Sequence, residues 1–453
     1  MSNVRSELLE EKPFKLMVKL CVPAIIGMLV VGLYSFMDAV FVGQMIGANA
    51  MGAVSVAYPF TLINNGIATL VGVGSASILS RAIGKKDNTT VDMVMGNLLV
   101  LITALSILIT FIGIIFTRQI LILSGVTGEI LDLAERYLRI IYIGSAFINF
   151  AQSANMVMRA EGLMKRAMIF MGLGAVINIV LDPIFIYAMG DYGVEGAAIA
   201  TITAQIMQAT ITLVYFVKKS KTVRIHRIRI EKSFLPQIFS VGISAMLMQI
   251  MSLLQQTVMY NTAAAYGNDA QIILIGAALR VQAFSFIPLW GMSQGLQPVV
   301  GTNYGAKQYG RVKKCTNAFI LGAVALSMIF WIPIELAPKA VLSLFIKDTE
   351  IVSQGIFNFQ MMYSVFPALS IMIMGLTFFQ SIGKGGKASV LVLLRQIILF
   401  IPILLILPKF FGVIGIWAAS PLTDGIILIT TIILLIAEYR NMGNEANLAS
   451  KAR

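Results

Sequence analysis

The sequence predicts an all-α integral membrane protein of twelve transmembrane helices, arranged as two homologous six-helix bundles around a central cavity. Three observations predict it. The 453 residues are 58% apolar and 12% charged, with a mean hydropathy of +0.86, whereas soluble domains carry about a quarter charged residues. Apolar runs of about 20 residues, enough to cross the hydrocarbon core as a helix, recur along the whole chain. Finally, glycine-marked segments of the first half return in the second.

Apolar runs between charged or Gly/Pro-marked breaks place the spans at 17–43, 51–80, 93–117, 132–157, 164–189 and 193–217 in the first half. In the second half they fall at 234–262, 271–302, 314–336, 351–381, 388–408 and 412–437. The opening segment through Lys15 is charged, and the run after it is longer than a signal-peptide core, so no cleavable leader is expected. The chain divides into a lobe at 1–217, a basic linker at 218–232 and a second lobe at 233–453.

The net charge of +13 is explained by topology. With twelve spans, one side holds both termini, the loops after spans 2, 4, 6, 8 and 10 and the span ends that adjoin them, and it collects 26 of the 34 Lys and Arg residues. The other side has six, and Arg280 and Arg395 fall inside spans. Short cytoplasmic segments are rich in Lys and Arg, so both termini are expected in the cytoplasm. The central run from Lys218 to Lys232 then reads as an anchor near anionic headgroups, not as a nucleic-acid site. His226, the one histidine, lies in that loop and is given no role, and Cys21 and Cys315 read as small core residues.

The repeat is visible at an offset of 221, which lays Gly74, Gly84, Lys86 and Val91 on Gly295, Gly305, Lys307 and Val312, and Gly162 and Ala167 on Gly383 and Ala388. An offset of 219 then lays Pro183, Gly193, Val194, Gly196 and Ala200 on Pro402, Gly412, Val413, Gly415 and Ala419. Because each repeat has an even number of spans, the halves run the same way and are expected to be related by an axis along the membrane normal.

Acids inside hydrocarbon are costly and so are functional candidates. Three of the 21 Asp and Glu residues lie deep: Asp38, Asp182 and Asp424. Asn178 precedes Asp182 by four residues and shares its helix face. Counted from the span ends, Asp38, Asn178, Asp182 and Thr201 lie at one level on the side away from the termini. Four oxygen-bearing side chains suit a hard monovalent cation, and two neighbouring carboxylates also suit a proton, so H⁺ and Na⁺ both remain open as coupling ion, with Na⁺ as the candidate metal. A buried polar network that fixes helix register is the alternative. Pro183 removes a backbone hydrogen bond beside the acid and is expected to bend span 5 there. Asp424 and Arg395 lie at matching depth on adjacent spans, and either an ion pair or a substrate contact for Asp424 fits that placement. The candidate substrate cleft takes Gln152, Asn155, Gln256, Arg280 and Asp424. Twenty-six methionines and 26 phenylalanines suit a cavity for varied apolar cations, although ordinary packing accounts for most of them. No Walker GxxxxGK[ST], HExxH or GxSxG motif is present, so neither nucleotide-driven transport, nor an enzyme, nor a cofactor is expected.

The segments DAVFVG at 38–43, GVGSASILSRAIGKKD at 72–87, MRAEG at 158–162, NIVLDPIFI at 178–186 and GVEGAAIAT at 193–201 resemble the multidrug and toxic compound extrusion (MATE) family, in its MepA-like bacterial branch. The resemblance covers nearly the whole chain. It implies two six-helix lobes around a V-shaped cleft in the bacterial cytoplasmic membrane. It also implies export of organic cations and drugs in exchange for H⁺ or Na⁺ by a protein that can act as a monomer, with Asp38, Asn178, Asp182 and Thr201 in the position of the family's first-lobe cation site. Family members of the NorM type place acids in spans 7 and 10. Here span 7 carries Gln255 and Gln256 and span 10 has only Glu350 at its entrance, so a second-lobe coupling site is not expected. A lipid-linked precursor or polysaccharide flippase of the same superfamily is the alternative function.

Overall fold

The computed structural model describes residues 2–220, 222–225 and 228–451, so Lys221, His226 and Arg227 of the basic loop lie outside the described residues. A short helix α1 (Ser2–Glu10) is followed by α2 (Pro13–Met45), α3 (Ala48–Lys85), α4 (Asn88–Leu123), α5 (Gly128–Ile143), α6 (Ser145–Ala160), α7 (Met164–Met189) and α8 (Gly193–Val214). The second half comprises α9 (Leu235–Tyr266), α10 (Asp269–Gly305), α11 (Tyr309–Leu336), α12 (Pro338–Ser343), α13 (Thr349–Tyr363), α14 (Phe366–Ser381), α15 (Gly385–Leu393), α16 (Phe400–Phe411) and α17 (Val413–Lys451). Among the described residues there is no strand. Ten helical stretches among the described residues are long and apolar enough to cross a bilayer; one of them, Met164–Lys219, turns back at Gly190–Tyr192 and crosses twice. The more polar pair α5 and α6 supplies the remaining crossing. Apolar side chains such as Phe111, Leu321 and Leu336, 65%, 72% and 81% exposed, coat the outside, as lipid requires and water would not tolerate over so large an area.

Two predicted spans are not single helices. The span at 132–157 breaks at Gly144, where Ile202 of α8 packs against the bare Cα, and the span at 351–381 breaks at Ser364–Val365. Pro367 lies in the first turn of α14 and cannot continue the helix before it. The apolar run is unbroken through both sites, so hydropathy alone does not reveal them. Residues 144 and 365 are themselves 221 apart, as are the left-handed residues Lys86 (φ 61°) and Lys307 (φ 58°). Non-glycine residues with positive φ are uncommon, so their recurrence carries the repeat into the backbone.

One match needs correction. The π-helical turn Leu394–Leu399 adds a residue to the second lobe, and the helix-ending glycines Gly190 (φ 53°) and Gly412 (φ 54°) lie 222 apart. The offset of 219 applies only beyond the three-residue turn Gly190–Tyr192, so Pro183 and Pro402 are not equivalent.

The lobes meet along the half of the molecule nearer the termini. Gly74 of α3 leaves room for the backbone of Ile238 in α9, and Gly295 of α10 leaves room for Cys21 of α2, so repeat-related glycines receive repeat-related helices. Both cysteines are free and buried. At the terminus-side end Gly84 and Gly305, which are mates, touch each other: a Cβ on Gly84 would lie 3.0 Å from the Gly305 Cα and 2.8 Å from the Ala306 nitrogen. A residue and its repeat mate can touch only on the axis that relates them. Toward the far side the contacts end near Gly32–Ile287 and Gly66–Met246, and beyond them Phe36, Tyr58 and Leu254 are exposed, 64%, 56% and 42%. The result is a V-shaped cleft, closed at the terminus side and open opposite.

Helix α1 straps the closed end. Arg5 donates to the carbonyls of Ile83 and Gly84 at 3.0 Å each, while Asn303 of α10 donates to the Leu8 carbonyl at 2.9 Å and Arg311 of α11 to that of Glu11.

Placing a side chain on the axis should overpack the seam, at a cost of about 1–3 kcal/mol. Gly84→Val is expected to lower the melting temperature in detergent by several degrees, whereas Gly172→Ala, in open space on α7, should leave it unchanged or raise it slightly. Equal melting of the two variants would refute the tight-seam reading.

Candidate functional site

Three helices of the first lobe converge on one polar point. Asn178 and Asp182 stand one turn apart on α7, and the Asn178 Nδ2 donates to Asp182 Oδ1 at 3.0 Å and to Thr201 Oγ1 of α8 at 3.3 Å. Asp38 of α2 brings its carboxyl against that of Asp182. The four residues read from the sequence are thus brought together, and Asp182 is fully buried.

The hydrogen-bond inventory of this point does not close. Asn178 spends its amide hydrogens on Asp182 and Thr201, which leaves its Oδ1 without a donor, and Asp38 Oδ1 and Asp182 Oδ2 also have none. Buried acceptors without donors are expensive, and two carboxylates in contact repel strongly where water is scarce. A proton shared between the carboxyls, or a small monovalent cation taken by these oxygens, removes both penalties. Among the described residues no three His, Cys, Asp or Glu side chains cluster as a multivalent or transition-metal site.

Two tyrosines that the sequence reading missed complete the surroundings. The Tyr34 hydroxyl reaches Thr201, and the buried Tyr137 of α5 lies beside Asp38, Asp182 and Tyr34. Tyr34 was readable in principle, since it precedes Asp38 by one helical turn. Tyr137 was not, because nothing local ties α5 to α2. The bend expected at Pro183 corresponds to a proline inside a helix that runs on to Met189, with the amide that would bond the Ile179 carbonyl removed.

The cleft candidates separate. Gln152 donates to Asn65 at 3.3 Å where the lobes begin to part, beside the cross-lobe bond from Thr69 to Gln249, also 3.3 Å. Gln256 and Arg280 are exposed on the second lobe. Asn155 is not a cleft residue: it is buried, and its Nδ2 donates to the Ala167 carbonyl at 2.6 Å, facing α7 within its own lobe. Asp424 is held at 2.9 Å by Arg395 Nε, both side chains being less than a tenth exposed, so the ion pair accounts for it. Arg395 lies in the π-helical turn, where the extra residue re-aims side chains. Another group missed from sequence is the cross-lobe bond of Arg159, in the MRAEG segment, to Gln294 at 2.5 Å.

A MatE family model matches residues 23–184 and 242–406, one copy on each lobe. The chain belongs to the MatE family. Its relatives include the multidrug export protein MepA of Staphylococcus aureus strain MSSA476, 29% identical over 418 residues, covering 90% of this chain and 91% of that one. The MepA of Staphylococcus saprophyticus is 27% identical over 410 residues, covering 89% of each. Among solved structures, the MATE multidrug transporter DinF-BH is 34% identical, with a TM-score of 0.86 over 94% of this chain and 96% of that one. A MATE crystal structure in the bent conformation gives 0.92 at 26% identity, over 98% and 99%. This MatE chain thus shares both lobes with its relatives, and the acid pair lies inside the first matched segment.

Breaking a buried pair by removing one partner costs about 3–5 kcal/mol, because the other charge is left alone. Arg395→Met and Asp424→Leu should each destabilise the MatE chain strongly, while the double variant should lose clearly less than their sum. Strictly additive losses in detergent melting would show that the pair does not act as a unit.

Proposed function

We propose that this chain is a secondary active multidrug exporter that moves organic, mostly cationic compounds out of a bacterial cell in exchange for H⁺ or Na⁺. The observation that carries the coupling role is the set of three donor-less acceptors on Asp38, Asn178 and Asp182, in the half of the first lobe where the cleft is open. The multidrug export proteins among the relatives support drugs as substrates. The molecule sits in the cytoplasmic membrane as a multi-pass protein, with both termini and the 218–232 linker in the cytoplasm and the lobes at 1–217 and 233–453. In that orientation the cleft opens outward, and the coupling ion arrives from outside. It works as a monomer, without nucleic acid, cofactor or enzymatic activity.

The mechanism follows from charge. With both carboxyls ionised, repulsion holds α2 and α7 apart, and capture of a proton or Na⁺ relieves it. Pro183 gives α7 a place to bend toward α2, which narrows the cleft and expels a bound cation. By linkage, bound substrate must oppose ion binding by the same factor. The flippase alternative finds little support: of the two basic residues inside spans, Arg395 is neutralised by Asp424.

Asp38→Asn and Asp182→Asn should each abolish gradient-driven dye efflux from cells while the protein remains expressed and inserted. Full efflux by either variant would return these residues to a structural role. A reporter fused after Arg440 should behave as cytoplasmic, and a periplasmic signal would overturn the orientation and the outward reading of the cleft.

A further inference from the structure

Arg280 and Arg395 both lie well inside spans, and the fold treats them in opposite ways. Arg395 is buried and paired, whereas Arg280 is exposed on α10 with no hydrogen bond or ion pair to any described residue. A charge at this depth is costly unless it serves a partner. Eleven residues of helix separate it from Asp269 at the far-side end of α10, about 16 Å at 1.5 Å per residue, too far for its side chain to snorkel to that surface.

The direction in which Arg280 points is set by its neighbours on the same helical stripe. One turn toward the far side, the hydroxyl of Tyr260 on α9 stands over Gly276, 3.5 Å from where its Cβ would be. Seven residues the other way, Ile287 meets α2 of the first lobe, its Cδ1 lying 3.2 Å from where a Gly32 Cβ would be. Positions 276, 280 and 287 fall within one narrow sector of a 3.6-residue helix. The stripe that ends in a lobe-to-lobe contact below therefore opens, at Arg280, onto the cleft.

We propose that Arg280, with the Tyr260 hydroxyl one turn away, forms an anion-recognising subsite on the second-lobe wall, which takes the carboxylate of a zwitterionic substrate. A guanidinium offers a planar fork to a carboxylate, and an adjacent hydroxyl donates a further hydrogen bond. Permanent cations gain nothing from this wall and are repelled by it. The cleft then discriminates by charge distribution: the carboxyls of the first lobe answer to positive charge and Arg280 to negative charge. The inference rests on the export reading above, but its test does not, because binding is measured directly.

The matched probes are rhodamine 123, a cationic methyl ester, and rhodamine 110, the same dye with the free carboxylate. Fluorescence anisotropy with the purified chain in phosphate-free detergent gives the affinity ratio of acid to ester. Arg280→Gln should lower that ratio about tenfold, and Arg280→Lys, which keeps the charge but loses the fork, should lower it only a few-fold. Tyr260→Phe should lower it by a smaller factor without altering ester binding. An unchanged ratio in Arg280→Gln overturns the subsite, as does an equal loss for both dyes. Native mass spectrometry on the same samples separates the other source of such an anion: phospholipid adducts lost in Arg280→Gln, with the dye ratio unchanged, would assign Arg280 to a lipid phosphate and also overturn the proposal. Failure of the export reading would appear elsewhere, as wild-type cells that bind but do not extrude the ester.

Discussion

Everything in this fold depends on two helix backbones being able to touch. Gly84 and Gly305 meet on the axis relating the halves, Gly74 and Gly295 receive the partner lobe's helices, and no side chain stands between. In a membrane the lobes gain little from apolar burial against each other, because lipid is equally apolar, so close backbone approach with its dispersion contacts must hold them. A seam of this kind is strong where the glycines are and weak elsewhere, which is why the lobes close at one end and part at the other. The strap α1 and the Arg159–Gln294 bond add directional contacts to the same closed half.

The closed seam sets the depth of everything above it. The donor-less oxygens of Asp38, Asn178 and Asp182 are buried in the half where the lobes have separated. On the subsite proposal, Arg280 faces them from the opposite lobe over the same opening. On that proposal the chemistry of the cleft is divided between two walls.

Much of this was legible in the sequence, for identifiable reasons. Asp38, Asp182 and Thr201 could be set at one level because rise per residue converts a count from a span's end into depth, and Asn178 followed from its four-residue spacing. The twelve spans followed from hydropathy. What hydropathy cannot register are events that leave composition unchanged. The breaks at Gly144 and Ser364–Val365 interrupt no apolar run, the π turn at Leu394–Leu399 adds a residue without a mark, and Asn155 gives no sign of facing α7 rather than the cleft. Tyr137 joins the site through packing between distant spans, which a single chain read in order does not disclose.

The repeat also has a history written into it. At the established offsets, Asp38 corresponds to Met259 and Asp182 to Leu404, both buried apolar residues, so the second copy carries no acids where the first keeps its pair. Duplication supplied a matched scaffold, and divergence then removed the symmetry from its chemistry while leaving it in the backbone. On the reading proposed above, an ion can deform one twin and not the other. A symmetric squeeze would leave the cleft's two mouths in the same relation. A one-sided one tilts a lobe against its rigid counterpart, and that tilt is what can turn a cleft facing one compartment into a cleft facing the other.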